Sequence, residues 1–368
     1  MVSFWRSLRR PRQQGYKLAK LVDSRQLERC DLGGVHIVCD IDKTYLETEF
    51  ESVIRMARIA FEDATDKVTV TGASEVLQLA RWGQYDAPLP EAGGFPRCLH
   101  FVSSSPPQLR SVLTEKMMLD GLDWSSDTFK DQAYNLMMGR MDLLRQHVAY
   151  KSLAILNLLA GAGPGAQFVL IGDNAEQDAY IYSGIKLLAD GQLSPSGYRR
   201  YLEHAGVEPE VAADLAQGLP LKNGAKVVAV LIRNVPGYQL PESAPLSGIV
   251  QQFDNFYQAA LLLMQIGIVP EECLWQLTRH FHNQHGMTQS QLIVMLKALV
   301  DKVGADCALG VAGTQAIERL HADEAVRPEL AETFAHSLNC DGGALSLQSE
   351  SALIQCAKRW QEALSAAR

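Results

Sequence analysis

The sequence predicts an α/β fold, a doubly wound parallel sheet with small helical insertions and an α-helical C-terminal appendage. Three observations predict it. Between about residues 34 and 269, short apolar runs alternate with helical patterns, as in open parallel sheets. Three of those runs, VHIVCDID, LHFVSS and QFVLIGD, end abruptly in acids or hydroxyls, which suits strands whose carboxyl ends meet at one edge. From residue 270 onward, helical periodicity dominates and proline is almost absent.

Taken in order, residues 1–33 read as a basic arm. Arg6, Arg9, Arg10, Arg12, Lys17 and Lys20 precede the first acid, and Phe4, Trp5 and Leu8 are interleaved with the arginines. Such a segment suits either a solvated basic tail or a short amphipathic helix on an anionic membrane surface. Residues 34–269 form the main domain. Core strands are expected at 35–41, 99–103, 168–172 and 227–232, with a further strand near 127–130 and helices at 49–62 and 108–119. Residues 188–222 read as an inserted helical pair, with PEVAADLAQGL the clearest helix. Residues 270–368 complete the chain as a helical region.

One hydropathy feature competes with this scheme. Between Lys151 and Asp173 there is no charged residue, a span long enough to cross a bilayer. GAGPG interrupts it, so a core helix (residues 152–159), a turn and a buried parallel strand account for the same residues. No secretory signal is evident in the basic start.

The chemistry is concentrated at the strand ends. Asp40 and Asp42 close the first strand two residues apart, and a buried strand gains nothing from adjacent like charges unless a cation compensates them. SSSP (residues 103–106) ends the second strand in hydroxyls, Lys151 opens the helical run KSLAILNLL, and Asp173 and Asp178 follow the third strand in GDNAEQD. In this order and spacing the four segments resemble the motifs of the haloacid dehalogenase (HAD) phosphohydrolases. DIDKT, SSSP and GDNAEQDAYIY are similar to the actin-patch type of phosphatidate phosphatase catalytic domain, which typically reads DIDDT, SNSP and GDSGEQDPEIY. The similarity extends over about residues 34–235, with differences that include Lys43, Ser104, Asn174, Ala175 and Ala179.

The resemblance implies a HAD-like fold and a Mg²⁺-dependent phosphatase that hydrolyses a phosphomonoester through an aspartyl-phosphate. Asp40 would be the nucleophile and Asp42 the acid/base. Ser103, Ser104 and Lys151 would hold the phosphate. Asp40, the Asp42 carbonyl and Asp173 would hold the metal, with Asp178 and Thr44 supporting them. The implied substrate is phosphatidate or a related phospholipid. A soluble small-molecule phosphate ester is the alternative, and a non-catalytic phosphate-binding scaffold a further one.

Composition sets the remaining bounds. With 47% hydrophobic and 21% charged residues in 368, the chain can bury a large core, and a net charge of -8 argues against nucleic acid as a partner. Seven scattered cysteines without a CxxC pair favour reduced thiols in a cytoplasmic protein over disulfides or zinc, and Cys39 reads as a small core residue. Lys43 reads as a surface or structural lysine. His280, His282 and His285 in RHFHNQH read as a solvated helix end, because residues two apart on a helix diverge and only part of the trio can share a ligand sphere.

Overall fold

The computed structural model describes residues 22–47, 64–84, 95–130, 147–217, 223–240, 248–303 and 307–324, with a few positions between 350 and 359. The arm through residue 21 and the helix expected at 49–62 lie outside the described residues, as does most of the chain after 324.

Seven strands form one sheet: β1 (Val22–Gln26), β2 (Val35–Asp40), β3 (Cys98–Ser103), β4 (Ser126–Lys130), β5 (Gln167–Asp173), β6 (Lys226–Arg233) and β7 (Val250–Phe253). Their spatial order is β1-β4-β3-β2-β5-β6-β7. All neighbours pair in parallel except β1, which runs antiparallel to β4. The fold is α/β and compatible with a Rossmann-like domain, but the sheet is mixed rather than purely parallel. The sequence of β1, VDSRQ, is polar and partly exposed, so it carries none of the apolar signal of a buried parallel strand.

Helices cover both faces. On one face lie α1 (Ala73–Trp82), α2 (Arg110–Leu119), α7 (Phe256–Gln265), α8 (Glu271–Asn283), α9 (Gln289–Val303) and α10 (Cys307–Glu324). Their buried side chains share one apolar cluster with Ile37 and Cys39 of β2. On the other face α3 (His147–Gly161), α4 (Asp178–Ala189), α5 (Pro195–His204) and α6 (Pro209–Gln217) pack with Val38, Val102 and Leu170. The alternation along β2 follows from the two-residue period of a strand. The C-terminal helices α8, α9 and α10 therefore complete the layer that covers the sheet.

The order of connections reverses at β2. From β2 the chain steps outward through β3 to β4 by way of α1 and α2 on the first face. It then crosses by α3 to β5 on the other side of β2 and continues to β6. The carboxyl ends of β2, β3 and β5 consequently diverge into a crevice, the position where open α/β sheets bind ligands. The charge-free stretch after Lys151 is α3, a turn and β5. Among the described residues, no helix is long and apolar enough to cross a membrane.

One expectation about the cysteines is overturned. Cys30 and Cys98 form a disulfide across 68 positions of sequence. The loop between β1 and β2 returns along the start of β3, where the Asp31 amide donates to the Pro96 carbonyl at 2.9 Å and brings Cys30 against Cys98. Sequence spacing carries no trace of a pairing made by strand adjacency. Cys39 is fully buried among the apolar residues of the first face, as its place in the strand predicts.

Candidate active site

The crevice gathers side chains from four separate segments. Asp40 is the last residue of β2 and lies in phase with Val38, so it faces the layer that contains α3. Lys151, in the first half of α3, meets it there: Nζ lies 2.8 Å from Asp40 Oδ1, with both side chains fully buried. The same ammonium lies 2.5 Å from Asp178 Oδ1 and 2.9 Å from Glu176 Oε2. Tyr150 seats this part of α3, its buried hydroxyl hydrogen shared between the carbonyls of Ser103 and Thr128 at 2.6 and 2.8 Å.

Asp173 ends β5 beside β2. Its Oδ1 accepts the amides of Ala175 and Glu176 at 2.6 and 2.8 Å, and its Oδ2 accepts the Thr44 hydroxyl at 3.3 Å. Gly172 makes room for this arrangement. A methyl there would lie 2.7 Å from Asp178 Cβ and would also collide with Asp178 Oδ2 and the Tyr182 ring. Asp40, Asp173 and Asp178 each offer an oxygen within 4.8 Å of the others, a set that could hold a metal ion. Asp40 Oδ2 is buried without a hydrogen-bond partner among the described residues.

Asp42 lies past the end of the strand. Its Oδ2 accepts two hydroxyls, from Ser103 and Ser105, each at 2.9 Å. Ser103 Oγ also accepts the Ser105 amide at 3.0 Å, which locks the hydroxyl loop. The Ser104 hydroxyl turns the other way and donates to Glu176 Oε2 at 3.2 Å. Lys43, between Asp42 and Thr44, has φ +60°, a left-handed conformation uncommon outside glycine and concentrated at functional sites. The Arg233 guanidinium donates to the Lys43 carbonyl at 2.6 Å, and Lys43 Nζ sits 4.7 Å from the centre of the Tyr238 ring and donates to its hydroxyl at 3.2 Å. The side chain thus reaches the segment after β6.

The electrostatics are those of an anionic pit with one strong internal cation. Burial, opposed by Lys151 and reinforced by Asp178, Glu176 and Asp173, pushes the Asp40 carboxyl well above the usual range. Burial, then the neighbouring Asp178 and Glu176, likewise pushes Asp173 up. Burial pushes Asp42 up to about 6, with Glu176 adding to it and the two serine hydroxyls opposing. Lys151 goes the other way: burial favours the neutral amine, but Asp178, Asp40 and Glu176 outweigh it and hold the ammonium. A site this rich in uncompensated carboxylate invites a divalent cation.

All the residues expected from sequence, Asp40, Asp42, Thr44, Ser103, Ser104, Lys151, Asp173 and Asp178, therefore converge on one crevice. The structure adds Ser105, Glu176, Tyr150 and Arg233. Ser105 and Glu176 stand inside the quoted motifs SSSP and GDNAEQD, where polarity at a strand's carboxyl edge was a usable signal. Tyr150 and Arg233 read as ordinary helix and strand residues, and only the fold brings them in.

Residues 35–194 match the family model described as phosphatidate phosphatase APP1, catalytic domain. This agrees with the resemblance drawn from the motifs, over a shorter span than 34–235, and it points to a phosphatase enzyme. No curated protein and no solved structure matches the chain.

Proposed function

We propose that the protein is a Mg²⁺-dependent phosphatase that hydrolyses a phosphomonoester through an aspartyl-phosphate on Asp40, with phosphatidate or a related phospholipid as substrate. The observation that carries the reading is the state of the Asp40 carboxylate. One oxygen is paired with Lys151, while the other is buried beside Asp173 and Asp178, without a hydrogen-bond partner among the described residues. Leaving one oxygen of a buried carboxylate without a donor costs roughly 1–3 kcal/mol, more when the group is charged, and suits a site completed by ligand.

The donor set fits the metal. Carboxylate oxygens from Asp40 and Asp173, with the Asp42 carbonyl, are the hard ligands that Mg²⁺ prefers, and Asp178 lies close enough to support them. The ion would supply positive charge between an anionic nucleophile and an anionic ester.

The protein's own groups supply the rest. Asp40 forms the bond to phosphorus as the ester oxygen leaves. Asp42 delivers a proton to that leaving oxygen and recovers one from the water that later cleaves the acyl phosphate, so its carboxyl is regenerated. Ser103 and Ser105 hold the Asp42 carboxyl in one orientation through both steps. Lys151 orients Asp40 and keeps its charge as negative charge gathers on the phosphoryl oxygens.

The phospholipid assignment is supported by the match of residues 35–194 to a family named for phosphatidate. The basic, aromatic arm before residue 21 suits a surface where such a substrate resides. The test has two arms. Hydrolysis of an aryl phosphate that requires Mg²⁺ and is lost in Asp40→Asn supports the chemistry, and its absence in the wild type refutes it. Release of phosphate from phosphatidate in mixed micelles, in preference to sugar, nucleotide and amino-acid phosphates, supports the substrate class. The reverse preference replaces it with a soluble ester.

A further inference from the structure

The RHFHNQH segment is not absorbed by the crevice, and the structure gives it a different geometry from a solvated helix end. His280, near the end of α8, and His285, just beyond it, both direct Nε2 at the same oxygen of Glu75 in α1. Each nitrogen is 3.1 Å from Glu75 Oε1. The two imidazole rings lie 5.4 Å apart, and one ligand atom from each of the three residues falls within 4.8 Å of the others. His282 takes no part, because its Nδ1 is engaged with the Met287 carbonyl at 2.7 Å. The divergence expected of residues two apart on a helix is what separates it from the pair.

Packing elsewhere fixes this geometry. Phe281, fully buried in the apolar layer, lies over Gly72 at the start of α1. Gly72 has φ +78°, and a methyl there would collide with the Phe281 ring, reaching 2.6 Å from Cε1. This close approach sets the register between α8 and α1, so His280 arrives beside Glu75 one turn into the helix. The chain after α8 then bends back, with the Met287 amide donating to the Phe281 carbonyl at 3.2 Å, and the His285 ring packs 5.3 Å from Phe281. Glu75 Oε2 accepts the Ser74 hydroxyl at 2.9 Å, which orients the carboxylate from behind. The three groups are roughly a quarter exposed, open enough for an ion to enter and for water to complete its coordination.

We propose that Glu75, His280 and His285 bind one Zn²⁺ or a similar first-row divalent cation and clamp α1 to α8. Two imidazoles and a carboxylate form a borderline-soft donor set that selects such ions over Mg²⁺, which prefers oxygen ligands alone. The site is chemically distinct from the all-oxygen cluster of the crevice and does not depend on its function. The third group of potential ligands, His36, Cys98 and His100, lacks the same case. Cys98 is joined to Cys30, and His36 Nδ1 and His100 Nε2 already satisfy each other at 3.0 Å.

The test is a zinc titration of the full chain after EDTA treatment, in excess Mg²⁺, with total zinc read after gel filtration. The wild type and His282→Ala should retain one zinc per chain more than His280→Ala, His285→Ala or Glu75→Gln. Co²⁺ in place of zinc should give a visible ligand-field band in the first two proteins and not in the others. Any zinc taken up by the crevice carboxylates is common to all five and cancels. Glu75→Gln keeps the size and an acceptor oxygen, so it carries the comparison if a histidine variant fails to fold. Equal zinc content and identical cobalt spectra in the wild type and Glu75→Gln would overturn the proposal.

Discussion

Lys151 Nζ and Asp40 Oδ1 are 2.8 Å apart with no exposure to solvent, yet the pair is not charge-balanced. Burial, reinforced by Asp178, Glu176 and Asp173, pushes the Asp40 carboxyl up against the pull of Lys151. A carboxyl whose folded pKa is raised weakens the fold wherever the unfolded chain would ionise it, which includes neutral pH. Asp40→Asn, with the same shape and no charge, should therefore raise the thermal midpoint of the metal-free protein by a few degrees, at about 2–4 °C per kcal/mol for a chain of this order of size. Differential scanning calorimetry in EDTA checks this. A lower midpoint would mean that the ion pair outweighs the repulsion.

Removing the lysine should do the opposite. Lys151→Met takes away the one ammonium that Asp40, Asp178 and Glu176 share and puts no charge in its place. Stranding buried carboxylates in this way should cost about 3–5 kcal/mol. Urea unfolding measures it, and adding Asp178→Asn to the Lys151→Met variant should recover part of the loss. Strict additivity of the two substitutions would show that they do not share one electrostatic network.

Gly172 tests the geometry rather than the charge. It faces α4 from β5, and a methyl there would push against Asp178, whose other carboxylate oxygen is held by Lys151. Gly172→Ala should displace Asp178 and lower kcat for an aryl phosphate about 100-fold, the usual scale for a misplacement near 1 Å, with a smaller change in KM. An unchanged kcat would show that the exact seat of Asp178 is not needed for turnover.

The legibility of this site from sequence has a physical basis. Apolar β-branched runs that stop at an acid or a hydroxyl announce both a buried strand and the edge at which it ends. Asp40, Ser103 and Asp173 were therefore readable one strand at a time. Lys151 was readable because a family motif places it, since a lysine early in a helix has no periodic signature of its own. What could not be read depended on adjacency between distant segments: the Cys30–Cys98 bridge, the antiparallel β1, the Arg233 contact with the Lys43 carbonyl, and the meeting of Glu75 with His280 and His285. Lys43 shows the same limit at close range. Its side chain reads as that of a surface or structural lysine, while its left-handed backbone and its contact with Tyr238, in the segment after β6, have no signature in the sequence.

The amino ends of β2 and β3 carry a pH dependence of their own. His36 and His100 are buried side by side, with His36 Nδ1 3.0 Å from His100 Nε2. The outer nitrogens face the Leu32 carbonyl at 3.0 Å and Ser126 Oγ at 2.7 Å. Burial, then the charges of His36 and Arg81, hold His100 well below its ordinary value. Burial also lowers His36, against a partial opposing effect from the Leu32 carbonyl and Asp31. Below the unfolded histidine value of about 6.5, the unfolded chain binds protons at these positions that the folded chain refuses, so stability rises with pH through this window and falls as pH drops. Each refused proton contributes about 1.4 kcal/mol per pH unit. Replacing His100 with glutamine should reduce the slope of unfolding free energy against pH by close to one proton between about pH 6 and 5, measured by urea titration. An unaltered slope would mean that the acid sensitivity of the fold lies wholly in its carboxylates.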